Sequence, residues 1–153
     1  LLQIPVQSLG EGSGEFKVGD LIAVGPAASF IGAGQLEFLE IDGVITGAIP
    51  TLIAKSAIVS ENSKIHSGSI IMHNVIINAK AEINENCIIN NNALIEHSST
   101  IGKNTHISTG AIVNGDCNIG DNCFIGSNST INHGLKIKNF SIIPSHSRVS
   151  KSV

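Results

Sequence analysis

Residues 89–131 read INNNALIEHSSTIGKNTHISTGAIVNGDCNIGDNCFIGSNSTI, with Ile or Val at every sixth position. The same step runs from Ile53 to Val149 without a skipped register. Its positions are Ile53, Val59, Ile65, Ile71, Ile77, Ile83, Ile89, Ile95, Ile101, Ile107, Val113, Ile119, Ile125, Ile131, Ile137, Ile143 and Val149. A period of six fits neither a helix nor an alternating strand, but it fits a chain that runs extended briefly and then turns. Three such segments close a coil of about 18 residues, so the sequence predicts a mainly β protein, a parallel β-helix of about five coils.

Two further positions of the hexad carry information. The residue four places after each repeat aliphatic is mostly small, and Cys87, Cys117 and Cys123 all stand there. We therefore expect the cysteines to be small core residues, without a disulfide or a metal site, in a reducing, cytoplasmic compartment. Asn recurs one place earlier, where a left-handed corner would favour it. These corner residues are Asn74, Asn86, Asn92, Asn104, Asn122 and Asn128.

Charge is distributed unevenly along the chain. The net charge of −3 and a pI of about 6.0 argue against general nucleic-acid binding, which needs a basic surface. Residues 1–121 hold five lysines and all twelve acids, whereas residues 122–153 hold four basic residues and no acid. This basic end suggests a small polyanionic ligand, with an ordinary solvated surface as the alternative.

Residues 1–52 do not share the period and are expected to be a truncated α/β segment that precedes the β-helix of residues 53–153. Residues 20–25 resemble a short buried strand, and residues 35–42 are predicted to form a helix that ends near Gly43. The chain begins with Leu1 rather than Met, so we expect residues to be missing before it. The longest weakly polar run, residues 21–34, is too short and too rich in Pro and Gly to span a membrane.

The repeats resemble those of the hexapeptide-repeat acyltransferases, in which an aliphatic residue, often followed by Gly, precedes a small residue at the fifth place. The close matches are IGKNT (101–105), IGDNC (119–123) and IGSNS (125–129). The stretches PTLI (50–53), VIINAKA (75–81), IN (89–90), IEH (95–97) and His106 resemble the sialic acid O-acetyltransferase and bacillosamine N-acetyltransferase branch. The likeness covers residues 18–153 and implies a left-handed β-helix that assembles as a C3 homotrimer, with sites between subunits.

Stacking and the resemblance together indicate His97 as the catalytic residue. His97 is at the third place of its hexad, which predicts a ring facing out from a flat side, and Gly115 lies one coil above it and leaves the space open. The resemblance implies that His97 is the general base and that Glu96 assists it. Ser98 follows, where close relatives often carry an acid that orients the ring. His133 is two coils above His97, at roughly 10 Å, and is expected to line a channel.

The resemblance also implies the ligand-binding residues. His106 would lie near the acetyl group, Asn90 near the acceptor sugar, and Gly115 and Ser127 along the pantetheine arm of acetyl-CoA. The basic end would meet the CoA phosphates through Lys136, Lys138, Arg148 or Lys151. Within one chain we expect His97 and His106 about 15 Å apart on different faces, so that they would meet only between subunits.

The expected activity is transfer of an acetyl group from acetyl-CoA to the amine of a nucleotide-linked 4-amino-4,6-dideoxysugar. The alternatives are acetylation of a sugar hydroxyl, as in the sialic acid enzymes, and a non-catalytic β-helical scaffold. In relatives an N-terminal α/β domain holds the nucleotide, and residues 1–52 match only its end. The other histidines, His66, His73 and His146, do not follow a metal-ligand spacing, so the sequence predicts no metal site.

Overall fold

A computed structural model describes residues 50–153 and, before them, the two strands β1 (Leu39–Ile41) and β2 (Val44–Thr46). β1 and β2 pair antiparallel, with Ile41 opposite Val44. The predicted helix at residues 35–42 is therefore wrong at residues 39–41. Asp42 and Gly43 separate two short runs that contain β-branched residues, which is a strong hairpin pattern and outweighs the helical spacing. The predicted strand at residues 20–25 lies outside the described residues.

From residue 52 onward the chain forms three parallel sheets, one on each side of a prism. Face 1 contains β3 (Leu52–Ile53), β6 (Ile70–Ile71), β9 (Ile88–Ile89), β12 (His106–Ile107), β15 (Phe124–Ile125) and β18 (Ile142–Ile143). Face 2 contains β4 (Ile58–Val59), β7 (Ile76–Ile77), β10 (Leu94–Ile95), β13 (Ile112–Val113), β16 (Thr130–Ile131) and β19 (Arg148–Val149). Face 3 contains β5 (Lys64–Ile65), β8 (Glu82–Ile83), β11 (Thr100–Ile101), β14 (Asn118–Ile119) and β17 (Lys136–Ile137).

The strands stack in a constant register of 18 residues. Leu94 pairs with Ile76 below and Ile112 above, and the other strands follow the same rule. Backbone hydrogen bonds join the coils, as where the Glu96 amide donates to the Val113 carbonyl at 2.9 Å. The predicted parallel β-helix of about five coils is confirmed, while its left-handed sense stays a prediction.

The core consists of the inward aliphatic side chains of all three faces, with the small residues of the repeat beside them. Ile71, Ile89, Ile101 and Ile125 have no exposed surface. The buried polar residues at the small positions donate to a carbonyl 15 residues later, and the Cys87 thiol does the same with Gly102 at 3.0 Å. Such bonds are made by Ser69, Ser99, Thr105 and Ser129. All three cysteines are free and buried, so their predicted role as small core residues is confirmed.

The corners between faces require a left-handed backbone. All six predicted asparagines have positive φ, between 55° and 59°. Ser98 occupies the same place in its hexad and has φ 59°. A left-handed conformation costs ordinary residues roughly 1–2 kcal/mol, and Asn tolerates it better, which explains the preference for Asn here.

The outward sides of the three faces differ in polarity. In the strands of the three faces from β4 onward, the first residue points outward and the second is directed into the core. On face 3 these outward residues are polar or charged: Lys64, Glu82, Thr100, Asn118 and Lys136. On faces 1 and 2 they are largely apolar and include Ile58, Ile76, Ile88, Phe124 and Ile142, all at least 36% exposed. Two adjacent faces therefore present apolar rows at the surface.

Candidate functional site

His97 lies at the corner that follows β10, between face 2 and face 3. The chain turns at His97 and Ser98 before β11 begins at Thr100. The predicted position on a flat side is therefore wrong. The strands are only two residues long, so the third place of a hexad already belongs to the turn. The corner leaves His97 exposed to solvent.

Gly115 stacks over the imidazole of His97, as the sequence predicts. A Cβ atom at Gly115 would lie 2.7 Å from both Cε1 and Nε2 of His97. This is well inside the ~3.5–4.0 Å of an ordinary contact between carbon atoms. Since Gly115 is not in the left-handed region, the backbone would tolerate a side chain there and only the ring excludes one.

Glu96 holds the main chain at His97 rather than its ring. Its Oε2 accepts a hydrogen bond from Asn78 Nδ2 at 2.9 Å and one from the His97 amide at 3.3 Å. Within residues 50–153 neither ring nitrogen of His97 has a hydrogen-bond partner. Glu96 thus fixes the main chain that carries the imidazole, while both ring nitrogens are open to a ligand.

His133 and Asp116 lie beside His97 on the same corner. The ring centroids of His97 and His133 are 6.4 Å apart, so the expected separation of roughly 10 Å is too long. The rings approach each other because Gly115, the residue between them in the stack, has no side chain. His133 Nε2 is 3.4 Å from Asp116 Oδ2. Asp116 is one coil above Ser98, so the 18-residue register is enough to predict an acid at this corner.

His106 lies on a different side of the prism, at the start of β12 on face 1. It is partly buried, and this burial lowers the pKa of its imidazole. The ring of Phe124 meets it edge-on, with centroids 5.3 Å apart and planes at 86°. Asn90 Nδ2 is 3.3 Å from His106 Nε2. Asn90 therefore accompanies His106, and the two are on another face from His97.

Ser127 lies at the corner between face 1 and face 2. Its hydroxyl is 2.9 Å from that of Ser108, which is buried. In one chain the predicted residues therefore form two groups. His97, Glu96 and Gly115 share the corner between faces 2 and 3. The other group lies on face 1 or at its corner with face 2, and consists of His106, Asn90 and Ser127. The two groups thus lie on different sides of the prism within one chain.

Two general features of the described part of the chain bear on the kind of site. Among residues 50–153 and the two N-terminal strands, no group of three His, Cys, Asp or Glu side chains is arranged to hold a metal ion. In the same part of the chain no helix is long and apolar enough to cross a membrane.

Comparison with known proteins identifies the repeat. The family described as bacterial transferase hexapeptide (six repeats) matches residues 98–133 and 116–151. The chain is therefore similar to this family over residues 98–151. No curated protein sequence matches it.

Several solved structures resemble the chain in fold. PerB from Caulobacter crescentus, in complex with CoA and GDP-perosamine, is 25% identical over 69% of this chain and 51% of its own, with a TM-score of 0.69. The acetyltransferase domain of PglB from Neisseria gonorrhoeae is 24% identical over 69% of this chain and 52% of its own, also with a TM-score of 0.69. WeeI from Acinetobacter baumannii is 17% identical over 64% of this chain and 53% of its own, with a TM-score of 0.51. The chain spans about half the length of the structures it matches.

Proposed function

We propose that the chain transfers the acetyl group of acetyl-CoA to the amine of a nucleotide-linked amino-dideoxysugar, with His97 as general base. The observation that carries the proposal is the open imidazole of His97 beneath Gly115. PerB, which resembles this chain in fold and at 25% of aligned positions, has been solved with CoA and GDP-perosamine. An imidazole suits the role because its ordinary pKa lies close to neutral pH.

The reaction is a direct transfer. The amine nitrogen attacks the thioester carbonyl carbon, and its proton passes to His97. The tetrahedral intermediate then loses the CoA sulfur, which takes the proton back from the imidazolium, so the products are the amide and the CoA thiol. None of the cysteines offers a competing nucleophile, because Cys87, Cys117 and Cys123 are buried and burial raises the pKa of each thiol. Pre-steady-state bursts or a trapped acetyl-enzyme would contradict direct transfer.

The site lies between subunits of a C3 homotrimer. The apolar rows of faces 1 and 2 meet at one edge of the prism, which suits a closed ring in which face 1 of each subunit packs against face 2 of the next. Such packing would bring His106 of one subunit toward the corner that carries His97 in its neighbour. Ile76→Lys, on face 2, should dissociate the trimer in light scattering and abolish activity, while Thr100→Lys, on face 3, should change neither. A fully active wild-type monomer would refute the trimer.

The basic C-terminal coils bind the phosphates of CoA. Lys136, Lys138, Arg148 and Lys151 lie in the last coils, and no acid follows Asp121. Reversing these four charges should raise the KM for acetyl-CoA and leave the KM for the sugar unchanged. Reversal of Lys55 and Lys64, in the first coils, is the control. An unchanged KM for acetyl-CoA would exclude this path for the cofactor.

The test of function is release of free CoA in the presence of acetyl-CoA and a panel of nucleotide-linked amino sugars. His97→Ala should reduce turnover by about 10²-fold or more, the usual contribution of a general base. His73→Ala is the matched control, because His73 holds the same place in its hexad at the corner between faces 1 and 2. Turnover only of sugars that lack an amine would favour O-acetylation. Absence of both turnover and acetyl-CoA binding would favour a scaffold.

A further inference from the structure

The amide orientation of Asn90 is fixed by its own neighbour. Asn90 Oδ1 lies 2.7 Å from the main-chain nitrogen of Asn91, which can only donate. The amide oxygen must therefore face Asn91. The NH₂ end of Asn90 then points at Nε2 of His106, 3.3 Å away.

This orientation determines where His106 carries its proton. An NH₂ group can only donate, so Nε2 of His106 must be the unprotonated, accepting nitrogen. The single proton of the neutral ring then resides on Nδ1. An imidazolium would place an N–H donor at Nε2 directly opposite the NH₂ donor of Asn90. Burial in β12 between Ile88 and Phe124 also lowers the pKa of His106 and so favours the neutral ring. No charged side chain projects from β9 or β15, the strands on either side.

Nδ1 of His106 is available to a ligand. Within residues 50–153 this nitrogen has no hydrogen-bond partner, whereas Nε2 is occupied by Asn90. The edge-on contact with Phe124 restricts the ring plane. The result is a neutral, oriented N–H donor on face 1, in contrast to His97, whose two nitrogens are both open.

We infer that Asn90 is a positioning residue that holds His106 as its Nδ1–H tautomer, so that His106 donates a hydrogen bond to the carbonyl oxygen of the acetyl thioester. This inference rests on the proposed acetyl transfer. A donor aimed at the oxygen that becomes negative in the tetrahedral intermediate stabilises the transition state more than the bound thioester. It also separates the roles of the histidines: His97 takes the proton and His106 polarises the carbonyl. Asn90 then acts on the acetyl group through His106 instead of binding the acceptor sugar.

The tautomer is tested first by long-range ¹H–¹⁵N NMR on the full chain without substrates. His106 should show a pyrrole-type signal for Nδ1 and a pyridine-type signal for Nε2. In the isosteric Asn90→Asp variant a carboxylate faces Nε2 and should move the proton there, so the pattern should reverse or become that of an imidazolium. Asn84→Asp, at the same place of the preceding hexad, should leave His106 unchanged. A wild-type pattern with the proton on Nε2 overturns the inference, whether or not the protein proves to be an acetyltransferase.

Kinetics test the role. Asn90→Ala should lower kcat by about 10-fold or more and leave the KM for the sugar nearly unchanged, because the lost interaction belongs to the transition state. His106→Ala should lower kcat at least as much, and His106→Asn should recover part of the loss, since its amide NH₂ lies near the position of Nδ1. A raised KM for the sugar with an unchanged kcat in Asn90→Ala would overturn the inference and return Asn90 to the acceptor site. Urea midpoints of the variants show whether a loss reflects unfolding.

Discussion

Replacement of Gly115 by Ala tests whether catalysis needs the open space above His97. The new Cβ would lie 2.7 Å from Cε1 and Nε2 of His97. An ordinary contact needs about 3.5 Å, so the imidazole must withdraw by about 0.8 Å. A displacement of this size in a catalytic group can cost up to about 10²-fold in rate, and we expect kcat/KM to fall by about 10- to 100-fold.

The same change should leave folding intact. Gly115 is outside the left-handed region, and His97 is exposed and can swing toward solvent. A Gly to Ala change at a compatible position is neutral or stabilising, by about 0.4–1 kcal/mol, through the unfolded chain. The urea midpoint should therefore stay level or rise while activity falls.

Gly134→Ala is the matched control, with the opposite expectation. A Cβ there meets nothing within 4 Å, but Gly134 has φ +72°, where Ala is strained. Its stability should fall by roughly 1–2 kcal/mol while activity persists below the unfolding transition. Paired CoA-release assays and urea titrations measure both quantities. Wild-type kcat/KM in Gly115→Ala would refute the assignment of His97 to the reacting centre.

Three further predictions concern stability. Burial raises the pKa of the Cys87 thiol from 9.0 to about 11, so the folded state holds this proton more tightly than the unfolded state does. The free energy of unfolding should therefore fall between pH 9 and pH 11, by on the order of 2 kcal/mol. Cys87→Ala should remove most of this pH dependence in urea titrations. Ile101→Ala should cost about 2–5 kcal/mol in the same titrations, whereas Thr100→Ala, on the outward side of the same strand, should cost less than about 0.5 kcal/mol. Phe140 has φ 63° and a side chain 74% exposed, so Phe140→Asn should raise the thermal midpoint through a gain of about 0.5–1 kcal/mol, and a lower midpoint would contradict corner strain as the cause of the Asn preference.

Much of the fold could be predicted because one local rule repeats. The aliphatic positions define the inward residue of each face, the small positions define the residues packed beside it, and Asn marks the left-handed corners. Each of these is a property of single residues at known places in the hexad. The N-terminal hairpin has a local signal at Asp42-Gly43, but a helical spacing of apolar residues overlaps this signal and favours a helix.

The site could be predicted only where it follows the vertical stack. Gly115 and His97 are 18 residues apart, so the register predicts that they stack, whereas Asn90 and His106 are 16 residues apart and meet diagonally. The register gives the column of a residue, but not how far its side chain reaches toward the next column. For the same reason the register predicts neither the partners of Glu96 nor the 6.4 Å approach of His133 to His97.

The sequence by itself determined a three-sided β-helix, since a fixed period with inward aliphatic residues leaves few other ways to bury them. Tertiary structure alone decided that His97 sits at a corner with open nitrogens and that Asn90 holds His106. Those outcomes depend on hydrogen-bond geometry at the scale of about 3 Å, which depends on side-chain conformation and not on the period. The repeat thus defines the scaffold, and contacts between columns define the chemistry it presents.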